Sequence, residues 1–164
     1  MASSLENILL IGSTGTIGTA IRTALVTQKS KFKRIGVLTT TTSLEKKKDV
    51  FDGLQNEGLE IVLSDLDDKE SLSKALKGMP SVHVMHDKIG WDAVICALAP
   101  PAVPKQKTVI DAAVAAGVSR FIPSEFGFDL STPFNAVQPS YKGKIAIEKY
   151  LQDKSAENPN FPTH

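Results

Sequence analysis

Asn7-Ile8-Leu9-Leu10-Ile11-Gly12-Ser13-Thr14-Gly15-Thr16-Ile17-Gly18 is an apolar run that ends in three glycines spaced G-x-x-G-x-x-G. The apolar run is typical of a buried parallel strand, and residues 16–28 have the spacing of a helix. A strand, a glycine turn and a helix N-terminus together form a site for a phosphate group. The sequence therefore predicts a nucleotide site at Gly12, Ser13, Thr14, Gly15, Thr16, Ile17 and Gly18.

Each glycine has its own role in a turn of this kind. Gly12 permits the tight turn, Gly15 lets a pyrophosphate approach the backbone, and Gly18 lets the helix pack closely on the strand. Glycine-rich turns are common, so the position of this one, after a strand and before a helix, is what favours a dinucleotide site. An ordinary strand-to-helix turn is the alternative.

Length and composition limit the class of protein. The chain has 164 residues, which suits one well-buried domain, and its 19 basic and 18 acidic side chains give no reason to expect nucleic acid or an anionic membrane as partner. The single cysteine, Cys96, lies in the apolar run 93–98 and is predicted to be a core residue. The chain shows neither a secretion signal nor an apolar stretch long enough to span a bilayer, so we expect a cytoplasmic protein.

Strands and helices alternate along the rest of the chain. The predicted strands are 34–39, 59–63, 93–97 and 120–123, and the predicted helices are 43–57, 68–76, 103–116 and 140–154. Strands joined by helical crossovers form right-handed β-α-β units, so the expected fold is α/β with a doubly wound parallel sheet of the Rossmann type. We expect residues 1–157 to form the dinucleotide-binding domain and 158–164 to be a coil tail.

Two segments interrupt this alternation. Residues 79–90 are longer than a usual helix-to-strand connection and are interpreted as an insertion. The insertion contains His83 and His86, but no Cys or further His lies nearby, which favours a solvated loop over a metal site. Residues 127–139 carry two prolines and little periodicity, which is typical of a mobile loop over a ligand cleft.

The end of the second strand predicts which dinucleotide binds. An NAD site usually has an acidic side chain there for the ribose 2′-hydroxyl, whereas an NADP site has cations and hydroxyls around the 2′-phosphate. This chain has no acid at that position. It has instead Thr40, Thr41 and Ser43, with Lys46 and Lys47 one turn further on, and we therefore expect NADP(H). The alternative is that the lysines simply form a solvated helix face.

Other strand ends supply further candidates for cofactor contact. Asp65 ends the third strand, near the expected adenine, but it could equally cap the following turn. Ala97 and Leu98 end the fourth strand, and Ser124 and Glu125 end the fifth, where open α/β sheets bind their ligands. Glu125 could instead be a structural anchor that accepts hydrogen bonds from backbone amides.

Four segments together carry a resemblance to a known family. They are Gly12-Ser13-Thr14-Gly15-Thr16-Ile17-Gly18, Ser64-Asp65-Leu66, Trp91-Asp92-Ala93-Val94-Ile95 and, most specifically, Arg120-Phe121-Ile122-Pro123-Ser124-Glu125-Phe126-Gly127. They resemble the NmrA-like family, which includes the isoflavone reductase-like enzymes and belongs to the atypical short-chain dehydrogenase/reductases. The resemblance implies an NADP-binding Rossmann domain.

In the reductase members, the resemblance also implies a catalytic lysine on the helix after the last of these segments. The family pattern places apolar residues three, six and seven positions after the lysine, which selects Lys144, with Ile147, Tyr150 and Leu151 as the packed face. Lys142 is the second choice. An ammonium near the nicotinamide can hydrogen-bond the ribose hydroxyls and assist proton transfer as hydride moves.

Two departures from the family accompany the resemblance. The reductases commonly carry an arginine just after the second strand, where this chain has Thr40 or Thr41. Relatives also continue past the position of His164, with elements that form most of the substrate pocket. We expect an NADP(H)-binding reductase-like protein that acts on a small aromatic or conjugated substrate. The alternative is a non-catalytic NAD(P) sensor that signals through a protein partner.

Overall fold

The computed structural model describes residues 5–78, 90–127, 129–159 and 161. Its strands are β1 Asn7–Ile11, β2 Arg34–Thr39, β3 Glu60–Leu63, β4 Ala93–Cys96 and β5 Arg120–Ile122. Its α-helices are α1 Thr16–Thr27, α2 Thr41–Lys46, α3 Lys48–Asn56, α4 Lys69–Leu76, α5 Gln106–Ala116, α6 Pro133–Ala136 and α7 Lys142–Glu157. Short 3-10 turns lie at Lys29–Lys31, Pro100–Lys105 and Pro139–Tyr141.

The five strands form one parallel sheet in the order β3-β2-β1-β4-β5. The central strand is β1, whose Leu10 is in register with Val37 of β2 on one side and Ile95 of β4 on the other. The chain leaves β1 toward β2 and β3 and later returns to its other side with β4. This reversal opens a crevice beyond the carboxyl ends of β1 and β4. The predicted doubly wound α/β fold is confirmed.

The two faces of the sheet have separate cores because side chains alternate along each strand. Leu9 and Ile11 of β1 point to a core that contains buried residues of α4, α5 and α7, including Leu72, Ile110 and Ile147. Leu10 belongs to the opposite core, which joins β2 to α3 and α1 through Val37, Phe51, Leu54, Ile21 and Leu25. Cys96 is fully buried in the first core, which confirms its predicted place and raises the pKa of its thiol.

Several predicted boundaries differ in detail from the observed elements. The helix predicted at 43–57 is two helices, α2 and α3, separated at Lys47. The first residues of the helix predicted at 103–116 form a 3-10 turn that contains Pro104, which has no N–H to donate to an α-helix. The segment 127–139 contains the short helix α6, whose N-cap Thr132 accepts from the Asn135 amide. The insertion predicted at 79–90 falls, apart from Gly90, outside the described residues.

We predict that Gly18→Ala destabilises the fold strongly. A Cβ at residue 18 would lie 1.9 Å from the carbonyl oxygen of Gly12, so α1 or the turn would have to shift. The expected loss in the free energy of unfolding is about 3 kcal/mol, near the upper end of typical overpacking costs.

Gly53→Ala is the matched control for this variant. A Cβ at residue 53 meets nothing within 4 Å, and alanine favours the helix α3. We expect this change to stabilise the protein by roughly 0.5–1 kcal/mol. Urea unfolding measures both variants, and equal stabilities would contradict the close contact between Gly18 and Gly12.

Candidate functional site

The glycine turn follows β1 and contacts the carboxyl end of β4. Gly12 has a φ of +88°, and a Cβ there would lie 2.3 Å from the carbonyl oxygen of Ala97. Residue 12 must therefore be glycine both for its conformation and for its contact with the end of β4. Gly15 is different, because a Cβ there would meet only the Gly12 carbonyl oxygen, at 3.6 Å. The space above Gly15 is a cradle open to a ligand.

The N-terminus of α1 presents unsatisfied amides next to this cradle. Its first helical hydrogen bond runs from the Thr19 N–H to the Gly15 carbonyl, at 2.8 Å, so the amides of Thr16, Ile17 and Gly18 precede the helical pattern. No side chain caps this end of α1, and its first turn contains no acidic residue. Free N–H groups and the helix dipole together favour an anion at this position.

A cleft of about 200 Å³ opens between the glycine turn and the end of β2. It brings together six of the residues predicted from the sequence, namely Gly12, Ser13, Thr14, Thr40, Ser43 and Leu98. The other lining residues are Ile11, Leu38, Thr39, Phe51 and Leu66, whose roles the sequence analysis did not anticipate. Ile11, Leu38 and Phe51 belong to β1, β2 and α3, and their apolar pattern marks them only as core, whereas Thr39 is a buried polar residue at the end of β2.

The hydroxyl groups and lysines predicted to follow the second strand lie in the segment after β2, but the two lysines differ in their contacts. The Lys47 ammonium, at the joint of α2 and α3, donates to the Thr14 hydroxyl at 2.9 Å. Lys46 lies in the last turn of α2 with an exposed side chain. The structure thus brings Lys47 to the glycine turn, and the signal that could have separated the two lysines is the helix break at Lys47.

A second basic group near the turn was missed in the sequence analysis. Arg22 of α1 donates from its guanidinium to the Ser13 carbonyl oxygen at 3.2 Å. Arg22 lies four residues after Gly18, so both residues are on the same face of α1. Arg22 therefore stabilises the turn through this hydrogen bond and adds positive charge near the α1 N-terminus.

Two predicted residues have local structural roles. The Thr40 hydroxyl caps α2 by accepting from the Ser43 amide at 3.1 Å, and Thr41 is exposed in the first turn of that helix. The Asp65 carboxylate accepts from the Asp67 amide at 3.0 Å, which is the turn-capping alternative of the sequence analysis. Asp65 is exposed, so the cap leaves its second oxygen accessible.

Ser124 connects β5 to the end of β4. Its hydroxyl donates to the Leu98 carbonyl at 2.9 Å and accepts from the Leu98 amide at 3.0 Å. Its own amide donates to the side-chain oxygen of the buried Gln106 at 2.8 Å. Ser124 is itself buried, so this arrangement holds the Leu98 segment in place on the cleft wall.

Glu125 follows β5 in the chain, and Lys144 lies in the first turn of α7. Glu125 is half-buried, and its Oε1 atom is buried with no hydrogen-bond partner in the part of the chain that the structure describes. Burial raises the pKa of the Glu125 carboxyl; the Lys144 ammonium acts in the opposite direction, and Glu148 raises the pKa further. The Lys144 Nζ lies 3.5 Å from the position that a Cβ on Gly127 would occupy. The backbone-amide role suggested for Glu125 is not seen at Oε1.

The remainder of α7 anchors Lys144 to the fold. Ile147 and Leu151 are buried, as the predicted packed face requires, and Tyr150 is half-buried. The Tyr150 hydroxyl donates to the Asp111 carboxylate at 2.5 Å, and this hydrogen bond raises the pKa of Tyr150 to about 12. These contacts hold α7 against α5, so the base of the Lys144 side chain is rigidly placed.

Within the described ranges, no group of three or more His, Cys, Asp or Glu side chains is placed to hold a metal ion. Among those same residues, no helix combines the length and the apolar character needed to cross a membrane.

The fold defines the class of protein as a doubly wound α/β chain, with the glycine turn and the N-terminus of α1 at its switch point. Residues 4–164 match the NmrA-like family, and the chain belongs to that family. The isoflavone reductase of Pisum sativum is 33% identical over 163 residues, which cover 91% of this chain and 47% of that protein. The chain thus spans about half the length of the curated relatives it matches.

Solved structures show the same fold. Those of the pinoresinol-lariciresinol and phenylcoumaran benzylic ether reductases align with a TM-score of 0.74 at 27% identity, over 92% of this chain and 46% of that chain. The binary complex of leucoanthocyanidin reductase with NADPH from Vitis vinifera aligns with a TM-score of 0.70 at 24% identity, over 95% of this chain and 48% of that chain. The resemblance to the isoflavone reductase-like enzymes is confirmed.

Proposed function

We propose that the chain binds NADP(H) and acts as a reductase toward a small aromatic or conjugated substrate. The carrying observation is the cleft in which Gly12, Ser13 and Thr14 face the hydroxyl groups at the end of β2, beside the uncapped N-terminus of α1. The pyrophosphate would lie over Gly15, where the backbone leaves room for a ligand, and it would accept hydrogen bonds from the first amides of α1. NADPH supplies a hydride when it is bound.

The choice of NADP(H) over NAD(H) depends on charge. Among the residues that the structure describes, no acidic side chain lines the cleft, whereas Thr40, Ser43 and the nearby Lys47 offer hydroxyl groups and a cation. Such groups stabilise a 2′-phosphate and give a free 2′-hydroxyl no acceptor of the usual kind. A relative of this fold has been solved with NADPH, which supports the same choice.

The reductase activity depends on Lys144. Its ammonium lies beside Gly127 in the segment that follows β5, and we expect the nicotinamide to bind along this edge of the sheet. In this role the Nζ atom hydrogen-bonds the cofactor's ribose and gives a proton to the substrate atom on which negative charge develops. Apolar side chains in the segment after β5, notably Phe126, Phe134 and Val137, are exposed and suit an aromatic substrate.

The same apolar side chains favour a second candidate, a dinucleotide sensor that acts through a protein partner. Phe134 is 74% exposed and Val137 is 71% exposed, and exposed large apolar side chains grouped in one segment are typical of a protein-contact surface. In this proposal, cofactor binding in the cleft is retained and turnover is absent. Oxidation of NADPH by the purified chain with a panel of aromatic substrates distinguishes the two, because only the reductase consumes cofactor.

We predict that Gly15→Val removes dinucleotide binding and leaves the domain folded. The valine side chain would fill the cradle above the turn, while its Cβ makes only an ordinary contact with the Gly12 carbonyl. Calorimetric titration with NADPH measures the loss, and thermal unfolding shows that the fold is kept. Unchanged affinity in the folded variant would overturn the phosphate site.

On cofactor choice, we expect tighter binding of NADPH than of NADH. Lys47→Ala should weaken NADPH binding several-fold, on the order of the 1 kcal/mol of an exposed ion pair, and added salt should act in the same direction. Lys46→Ala is the matched control, since Lys46 is exposed like Lys47 but, unlike Lys47, has no hydrogen bond to Thr14. Equal affinities of the parent for both cofactors would refute the preference.

For catalysis, we predict that Lys144→Ala lowers the rate of NADPH oxidation far more than it weakens NADPH binding. Loss of a general acid raises the barrier by roughly 3–5 kcal/mol, or about 10²- to 10⁴-fold in rate. Lys142→Ala is the internal control on the same helix turn and should have little effect. Steady-state kinetics and cofactor titration separate the two quantities, and an unchanged rate in Lys144→Ala would exclude this lysine.

A further inference from the structure

An ion pair joins the segment after β3 to the segment after β4. The Lys105 ammonium lies 2.5 Å from the carboxylate of Asp67, which is 38 residues earlier in the chain. In the sheet, β2 and β1 lie between β3 and β4, so the ends of these two strands are three strand spacings apart, or roughly 14 Å. The ion pair therefore connects two segments that the sheet itself holds apart.

Both segments contribute to the wall of the cleft. Leu66, directly before Asp67, lines the cleft from the end of β3, and Leu98 lines it from the end of β4. The chain then runs from Leu98 into the 3-10 turn Pro100–Lys105, whose last residue is Lys105. The two leucines pack against the core that contains buried residues of α4 and α5. The ion pair thus borders the cleft on this face of the sheet.

The backbone of each partner is fixed by contacts of its own. The Asp67 amide donates to the Asp65 carboxylate at 3.0 Å, and the next residue in the chain is the N-cap of α4. Lys105 precedes α5 and lies between Val103 and Gln106, which are both buried. Side-chain ordering limits an exposed ion pair to a modest contribution, but this pair forms between backbone positions that are already held.

We propose that Asp67 and Lys105 are positioning residues for the dinucleotide, whose ion pair keeps Leu66 and Leu98 against the bound cofactor. The proposal rests on the proposed binding of NADP(H) in this cleft. The two charged side chains act through the leucines, because the pair holds together the segments that carry them. A bound dinucleotide therefore leaves the cleft more slowly than it would if the two segments could separate.

A purely electrostatic role would give a different result, because the cofactor is an anion. Removing the Asp67 carboxylate would then slow the release of the cofactor, whereas removing the Lys105 ammonium would speed it. The proposed ion pair gives the same sign for both changes, since either one breaks it. The direction of the two effects therefore separates a bridge between segments from a simple field of charge.

The test is the rate at which NADPH dissociates from the full chain at about 0.15 M salt, where exposed charges are well screened. Rapid mixing with excess NADP⁺ displaces NADPH, and the change in its fluorescence gives the rate. We expect Asp67→Asn and Lys105→Gln each to raise the rate about twofold to fivefold, which is the range of an exposed ion pair. The Lys105 side chain is 40% exposed and that of Asp67 is 64% exposed, so both variants should fold.

Two further variants show whether the pair acts as a unit. The double variant Asp67→Asn with Lys105→Gln should release NADPH no faster than either single variant, because each one already breaks the interaction. Lys105→Arg keeps the charge and should restore most of the slow release. Effects of opposite sign in the two single variants, or effects that multiply in the double variant, overturn the proposal.

Glu70→Gln and Lys74→Gln are the matched controls, because they break an exposed ion pair of the same kind within α4. We expect neither of them to change the release of NADPH. A change as large as that in Asp67→Asn or Lys105→Gln contradicts a specific role for the pair that borders the cleft.

Hydrogen exchange of the cofactor-free chain tests the same bridge without NADPH. In Asp67→Asn and Lys105→Gln, the amides of residues 64–68 and 97–105 should exchange faster than in the parent, and those of α3 should not. Unchanged exchange in both segments overturns the proposal. A parent that does not bind NADPH overturns the proposed function and the positioning role with it, whereas a parent that binds NADPH and releases it no more slowly than its variants overturns the positioning role alone.

Discussion

The contact between the glycine turn and the end of β4 is the constraint on which the rest of the site depends. The Gly12 backbone lies so close to the Ala97 carbonyl that any side chain at residue 12 would collide with it. The Gly12 carbonyl oxygen lies where a Cβ on residue 18 would be, so glycine at position 18 lets α1 pack close to the turn. Gly12 thus helps to set both the spacing of β1 and β4 and the direction of the α1 N-terminus.

Hydrogen bonds extend this constraint from β4 to β5. The Ala97 amide donates to the Ile11 carbonyl and so continues the hydrogen-bond ladder between β1 and β4. The N–H and the C=O of Leu98, the next residue, are both hydrogen-bonded to the Ser124 hydroxyl. The position of Glu125 is therefore tied to that of the glycine turn through a short chain of bonded backbone groups. Chemistry-bearing residues that are distant in sequence share a single rigid edge because the strands that carry them are parallel neighbours.

The electrostatics of the site divide in two. Around the glycine turn the groups are positive, with the α1 N-terminus, Arg22 and Lys47 arranged as an anion would require. Beyond β5 the Glu125 carboxyl is half-buried, which raises its pKa, and the Lys144 ammonium acts on that pKa in the opposite direction. The first region suits phosphate binding, and the second suits control of a proton. A reductase needs both regions, while a sensor needs only the first.

The sequence by itself determined the alternation of strands and helices, the parallel sheet and the glycine turn, because periodicity and glycine spacing are local properties. It also selected Lys144 through a family resemblance. The tertiary structure alone decided that Lys47 contacts Thr14, that the Ser124 hydroxyl bonds to Leu98, and that Tyr150 of α7 bonds to Asp111 of α5. These are contacts between segments far apart in the chain, and their geometry depends on strand order, helix breaks and burial that no local pattern encodes.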